Sequence, residues 1–554
     1  MPMAPSVAIA ASKLPVSPLA DTVAVASRGE TRTCDVVVVG SGIGGLSCAG
    51  LLARYGEDVV VCESHDIAGG AAHGFEIKGY EFDSGPSLFS GLSSKGAQAN
   101  PLAQVLDALG ESVPCIQYDA WMCYLPEGDV LSKIGPDDFK DVLMKLCGPE
   151  AVEEWSRLLE SIKPLSGAAM ALPPAALRAD PAVALTVLRF APALFQTFAQ
   201  GGPAAALGAG KLMGPFTQLL DDAQIKTPFL RNWCNLLAFL LSGVPADGTI
   251  AAEMVYMFGE WYKPGCMLEY PVGGVGALID ALVRGIEKHG GKLSLNSHVE
   301  TVLVENGKAV GVQLRNGGTL RARKAVVSNA SSWDTLKLLP EGSVPAEWRR
   351  ERAGTPECGS FMHLHLGIDK KDLPEDLGIH HIVVNTWEGG VDGPQNIVLI
   401  SVPSVLDPSL APPGKHVLHA YTPGTEPYEI WEGLDRKSPE YRKLKEERSE
   451  VLWKAVEKAL GPGFDRSKVE VSLIGTPLTH ERYLRRHRGS YGPAIRAGQG
   501  SFPGPGTPIP GLYCCGDQTF PGIGVPAVAG SGVMVANTLA PVWEHWKLLD
   551  AIGL

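Results

Sequence analysis

Two short apolar runs frame the start of this chain. Val36-Val37-Val38-Val39 and Val59-Val60-Val61-Cys62 have no polar alternation, as a parallel strand buried on both faces requires. Leu46 to Arg54 between them has helical character. The pattern predicts strand, glycine turn, helix, strand, which is the unit of a doubly wound sheet. A hairpin-like stretch follows from Gly74 to Phe82, and then the turn Asp83-Ser84-Gly85-Pro86-Ser87. Residues 101–160 read as helical with short strand interruptions, one of them 122–125. Residues 229–239 and 252–262 predict a helical block, and 277–289 an amphipathic helix. Strands are predicted at 292–295, 298–305, 310–314 and 325–327. The stretches 360–368 and 415–422 alternate like half-buried strands. Residues 438–461 predict a charged amphipathic helix with a solvated face, and 487–510 a Gly- and Pro-rich loop. Residues 511–539 predict a strand, a glycine turn and the start of a helix.

One stretch departs from these patterns. Residues 164–220 hold Ala, Leu, Pro and Phe in quantity, with Asp180 as their one acid. Lys163, Arg178, Arg189 and Lys211 border or punctuate them. Helices here should be short and broken by proline. Two readings stand: an Ala-rich helical lobe packed on itself, or a surface that dips into a bilayer or admits a lipid. No uncharged apolar run approaches the roughly 18 residues of a spanning helix.

Composition narrows the class. With 554 residues the chain is too long for one core, so two or more lobes are expected. The net charge is −12 and no basic run occurs, which argues against nucleic acid as a partner. The 11 cysteines lack the spacing of zinc ligands or redox pairs and read as buried thiols in a reducing compartment. Residues 1–33 are rich in Ala, Val, Ser and Pro, with Asp21 and Glu30 their only acids. They resemble an organelle transit peptide, with a disordered tail as the alternative.

The chemistry begins where the first strand ends. Gly40-x-Gly42-x-x-Gly45 lies between that strand and the helix, the context in which this spacing binds a dinucleotide. Gly40 permits a tight turn, Gly42 admits backbone to a pyrophosphate, and Gly45 lets the helix sit close to the sheet. Free N–H groups at the helix start then face the phosphates. Glu63, ending the second strand, is placed to bond an adenosine ribose. Further glycine-rich points at 69–70, 85–87, 271–276 and 516–524 lie far apart. One contiguous nicotinamide unit needs only the first. A chain that leaves the domain and returns around FAD uses several.

At these motifs the chain resembles the phytoene-desaturase-type flavoproteins, on their carotenoid isomerase (prolycopene isomerase) branch. The resemblance covers about 34–541. It rests on Val38 to Gly45, Phe82 to Ser87, Tyr270 to Gly276, Val327 to Ala330 with Trp333-Asp334-Thr335, and Gly511 to Asp517 running on through Phe520 to Val525. It implies an α/β, Rossmann-like FAD-binding domain of the amine-oxidase and phytoene-desaturase type, with an interleaved α+β substrate domain. The FAD domain is expected from 34–100, 264–335 and 471–541. The substrate and membrane-associating domain is expected from 101–263 and 336–470.

Carried over, Gly40, Gly42 and Gly45 take the pyrophosphate, Glu63 the ribose, and Val299 brackets the adenine. Asp517 is a second acid of the FAD site, with a helix cap as its alternative. Gly524, Val525 and Pro526 put a helix N-terminus near the flavin. Ile43, Gly44, Ser64, Gly70, Ala71, Gly85, Pro86, Ser87 and Gly516 complete the expected cofactor-binding set. Desaturases of this group often carry Arg or Lys after the paired glycines, whereas Gly69-Gly70 here precedes Ala71-Ala72-His73. That tilts the resemblance toward isomerase or saturase.

No acid–base pair stands out, so no catalytic residue is assigned. The family places Thr476, Thr479, Arg482 and 489–492 near the substrate entrance. His363 with His365, and His380 with His381, lack acidic or cysteine partners at metal-ligand spacing, and no metal is assigned. The expected activity is redox-neutral cis–trans isomerisation of a poly-cis carotene with reduced FAD. The expected setting is peripheral on a plastid membrane. A saturase or desaturase on a polyene lipid, and a non-catalytic lipid escort, are the alternatives.

Overall fold

The computed structural model describes residues 25–169, 172–192, 194–195 and 210–554. Most of the predicted leader, 1–24, lies outside them. So do 170–171, 193 and 196–209 of the apolar stretch.

The first strand is Thr31–Val39 and begins before the expected boundary at Cys34. Thr31 pairs in parallel with Thr319, Gly29 donates to the Gly317 carbonyl at 3.2 Å, and Ala26 is fully buried. Residues 31–33 therefore belong to the sheet, and 25–30 pack against it. Thr31 and Thr33 point to solvent, so no apolar run marked this end of the strand. The sheet runs in the order 292–294, 59–62, 31–39, 319–328, 308–314, 299–305. Strand Thr319–Ser328 forks: its first half pairs antiparallel with 308–314 and its last residues pair in parallel with Leu512–Cys514. The fork joins three distant parts of the chain beside the glycine turn.

Helices Ile43–Arg54, Pro101–Leu109, Gly274–Lys288 and Val525–Leu539 cover one face of this sheet. Leu102, Val105, Leu106 and Leu109 are buried in that core, so 101–109 belongs with the cofactor lobe, not with the substrate lobe as expected. Conversely, Val471–Gly475 pairs antiparallel with His363–Asp369 and belongs to the second lobe. Both boundaries were drawn at motif edges, whereas burial decides membership.

The second lobe is built on a sheet of order 471–475, 363–369, 415–421, 397–401, 380–384, 120–125, 128–133. Leu364, Leu366, Leu418 and Ala420 turn one face toward helix Pro439–Leu460, where Leu452 and Val456 are buried. That helix is amphipathic, as its sequence pattern predicts. His363, His365 and His419 occupy the opposite face by alternation. A helical cap packs Phe139, Trp155, Phe216, Trp233 and Phe258 into a third core. Among the described residues no helix is long and apolar enough to cross a membrane.

Candidate functional site

A cleft of about 840 Å³ opens where the first sheet meets the second lobe. Gly40, Gly42, Glu63, Ser64, Gly70, Ala71 and Val299 line it, with Asn329, Arg315, Arg482 and Arg486. The turn at its floor is fixed by backbone sterics. Gly40 has φ +95°, and a Cβ on Gly45 would lie 2.3 Å from the Gly40 carbonyl oxygen. Neither position tolerates a side chain without backbone movement. Gly42 caps helix Ile43–Arg54 with no side-chain bond, so the helix start offers its N–H groups and positive dipole end to the cleft. Ile43, Gly44 and Gly45 lie buried behind that opening.

Glu63 is held at the cleft wall. One carboxylate oxygen accepts from the Ser41 N–H at 2.8 Å and the Ser41 hydroxyl at 2.6 Å, and the other accepts from the His65 N–H at 2.9 Å. These bonds fix its orientation and leave acceptor capacity for a ribose.

Asn329 is a cleft residue that the motif reading left out of the expected set, as are Arg315 and Arg486. A Cβ on Gly42 would meet its side-chain nitrogen at 2.7 Å, and one on Gly44 or on Gly516 would meet its side-chain oxygen at 2.8 Å. Asn329 thus plugs the space shared by the two glycine segments, and Gly516 acts from outside the cleft. The signal lay in Ser328-Asn329-Ala330, a polar end to a buried strand.

The remaining expected residues fall behind or beside the cleft. A Cβ on Gly85 would stand 2.3 Å from the Ala71 carbonyl oxygen, so the 83–87 turn braces 70–71 from behind. Ser87 bonds Ser401 at 2.7 Å, and Ser401 bonds His380 at 2.9 Å. Ser87 is therefore a second-lobe contact, and Gly85, Pro86 and Ser87 lie outside the cleft lining. Asp517 is ion-paired with Arg486, which also donates to the Tyr491 carbonyl at 2.8 Å. Asp517 sets the position of a guanidinium that faces the cleft. Gly524, Val525 and Pro526 begin helix Val525–Leu539, whose first turn also has no side-chain cap. His73 lines the cleft, with Nδ1 2.8 Å from the Gly70 carbonyl oxygen, and burial lowers its pKa. Thr476 and Thr479 form a capping box on helix Pro477–Leu484, and Thr476 is fully buried. Their role is structural.

A forked parallel sheet, a glycine turn at a bare helix start and an acid at the neighbouring strand end define a dinucleotide-binding flavoprotein. The chain belongs to the flavin containing amine oxidoreductase family, whose pattern it matches over residues 43–540, on the carotenoid isomerase-like branch of the phytoene-desaturase type. It is 34% identical to the chloroplastic prolycopene isomerase of Daucus carota, over 92% of this chain and 81% of that one. It is 34% identical to the Arabidopsis thaliana chloroplastic prolycopene isomerase, over 95% and 86%. An oxidoreductase structure from Methanosarcina mazei shares the fold, with TM-score 0.57, 21% identity, and coverage of 90% and 99%. The cofactor is FAD, and the cleft fits it: the turn rejects side chains where a pyrophosphate must approach, and Glu63 stands ready at the strand end.

Proposed function

We propose that this protein is an FAD-dependent carotenoid cis–trans isomerase, acting on a poly-cis carotene in plastid carotenoid biosynthesis with its flavin reduced and no net redox change. The observation that carries this reading is the extent of the likeness to prolycopene isomerases. It runs over 517 residues and so includes the second lobe as well as the FAD cleft. Gly40, Gly42 and Gly45 with the helix start would hold the pyrophosphate, Glu63 the ribose, and Val299 the adenine. Gly70, Ala71 and the Gly524–Pro526 turn would flank the flavin end.

Bound FAD supplies reversible electron and hydrogen transfer, which can lower the order of a conjugated double bond long enough for rotation. The chain orients the cofactor and keeps water out. Arg486, fixed by Asp517, places a positive charge at the cleft without a mobile partner. No cation follows Gly70, where Ala71 and the buried Ala72 stand.

The substrate in this reading is an apolar polyene drawn from a membrane. Leu185, Leu188, Phe195, Met213 and Trp543 are large apolar side chains left exposed, Leu188 by 67% and Phe195 by 77%. Phe190 instead packs beneath, against Trp546 and Leu549. Exposed apolar side chains of this kind suit peripheral contact with a bilayer. The test is an anaerobic assay with poly-cis lycopene. Conversion with reduced FAD and none with oxidised FAD supports the proposal, and equal rates in both states contradict it.

A further inference from the structure

The second lobe reaches across the cofactor cleft. Helix Pro477–Leu484 ends there, and Glu481, Arg482, Tyr483, Leu484, Arg485 and Arg486 all line it. At one wall the Tyr483 ring meets that of His65, in the loop after Glu63, at 5.8 Å between centroids. At the other wall the His487 N–H donates to the Asp334 carboxylate at 2.8 Å, on the helix Ser332–Leu338 that follows Asn329. The segment thus runs from the Glu63 wall to the wall beside the glycine turn. Arg485 ends the helix in the left-handed conformation, with φ +52°. A residue with a Cβ keeps that conformation only where its surroundings fix it. Arg486 does so: it donates to the Ser490 and Tyr491 carbonyls at 2.5 and 2.8 Å and pairs with Asp517.

The charges along the cleft do not balance. Its arginine and lysine side chains are Arg315, Lys337, Arg436, Arg482, Arg485 and Arg486. Carboxylates match three of them: Glu300 pairs with Arg315 at 2.8 Å, Asp334 with Lys337 at 2.8 Å, and Asp517 with Arg486. Arg436, Arg482 and Arg485 pair with no carboxylate among the described residues. The acids beside them in sequence are engaged elsewhere. Glu481 accepts from the Tyr428 hydroxyl at 2.7 Å, and Asp435 from the Lys437 N–H at 3.0 Å. On a chain of net charge −12, unmatched arginines gathered in one cleft call for an anion. The pyrophosphate is the anionic part of FAD, and the bare helix start offers it only about half an elementary charge.

We propose that Arg482 and Arg485 bind the pyrophosphate of FAD from the second lobe, opposite the glycine turn that receives it in the first. This rests on the placing of that pyrophosphate at Gly40 to Gly45. Both arginines ride on the bridging segment. Arg482 lies over the Tyr483 ring, 5.4 Å from its centroid, and Arg485 sits in the turn that Arg486 anchors. Arg436 comes from a separate segment, 434–436, and is not part of the bridge. A guanidinium presents its N–H donors as a planar fork, which matches two phosphate oxygens at once. Arg482, expected at the substrate entrance, thereby serves the cofactor. Each lobe supplies one side of the phosphate site, so bound FAD ties the lobes together.

The test is titration of apoprotein with FAD at low and high salt, followed by flavin fluorescence. Wild-type affinity should fall as salt rises. Arg482→Gln combined with Arg485→Gln should weaken FAD by about a hundredfold at low salt and flatten the salt dependence. Arg482→Lys combined with Arg485→Lys should restore that dependence. Unchanged affinity and salt dependence in the double Gln variant overturns the proposal. Equal losses with Gln and with Lys overturn it as well, because shape rather than charge would then be at work. FAD-saturated wild type should bind no inorganic pyrophosphate in calorimetry. Binding to the loaded protein that Arg485→Gln abolishes would make these arginines a separate anion site and overturn their assignment to FAD. Gly45→Ala with FAD affinity intact would remove the placing of the pyrophosphate, and the proposal with it, whatever the arginine variants show.

Discussion

Gly45 has no room for a Cβ, because the atom would press into the carbonyl of Gly40. Gly45→Ala must therefore shift the turn proposed to receive the pyrophosphate. The expected result is protein that purifies with at least about tenfold less flavin, a loss of roughly 1.4 kcal/mol or more in cofactor affinity, read from the visible absorbance per chain. Asn329→Ala opens the space between the two glycine segments and should weaken FAD by about tenfold as well, measured by titrating apoprotein. These residues differ in how they could be read. Gly40, Gly42 and Gly45 obey a local rule of backbone geometry, so spacing alone exposed them. Asn329 acts across space from the end of another strand, and Asp517 acts through Arg486. Contacts of that kind leave no periodic trace.

At the level of elements, apolar patterning found the amphipathic helices and the valine runs buried on both faces. It missed His380–Val384 and Ile397–Ser401, almost wholly buried strands whose apolar runs are shortened by His380, His381 and Ser401. It did find the helix Pro439–Leu460 as amphipathic, although charged residues outnumber the stripe formed by Tyr441, Leu452, Val456 and Leu460. The apolar segment after residue 164 admitted two readings, and its described part supplies features of each. Phe190 packs inward, while Leu188 and Phe195 face out. If that outer face meets the bilayer, Leu188→Asp with Phe195→Asp removes two apolar anchors, each worth roughly 1.5–3 kcal/mol when fully buried. Cosedimentation with anionic vesicles should fall by at least about tenfold, with the FAD content unchanged. Unaltered sedimentation would place the membrane contact elsewhere.

Taken whole, the protein keeps many histidines uncharged inside. Burial lowers His365 to about 4, His380 to about 3 and His480 to about 3, and holds His363 and His419 well below their ordinary value. Below about pH 6.5 the unfolded chain binds protons at these positions that the folded chain refuses, so stability is lost as pH falls toward the folded values. Asp83, raised to about 6, and Glu253, raised to about 8, act in the opposite sense. Their contribution is complete below the ordinary carboxylate range and fades as pH rises through those values. Among the described residues burial lowers eleven histidines, His381 and His545 to about 4 among them, and raises four carboxyls, so acid is the more damaging side. The melting temperature of the FAD-loaded protein should drop between about pH 7 and about pH 5, and a flat or rising value over that range would contradict the burial argument.

The two lobes meet at the cleft, where the glycine turn of one faces the bracing turns and sheet of the other. The cofactor's anchor was legible from a few residues of sequence, and those residues do not choose the reaction. Product mass separates the reactions most directly. Poly-cis lycopene incubated anaerobically with the reduced holoenzyme should give a product of unchanged mass with the retention and absorbance of a more trans isomer. A product two hydrogens heavier or lighter would make this protein a saturase or a desaturase and contradict the isomerase assignment.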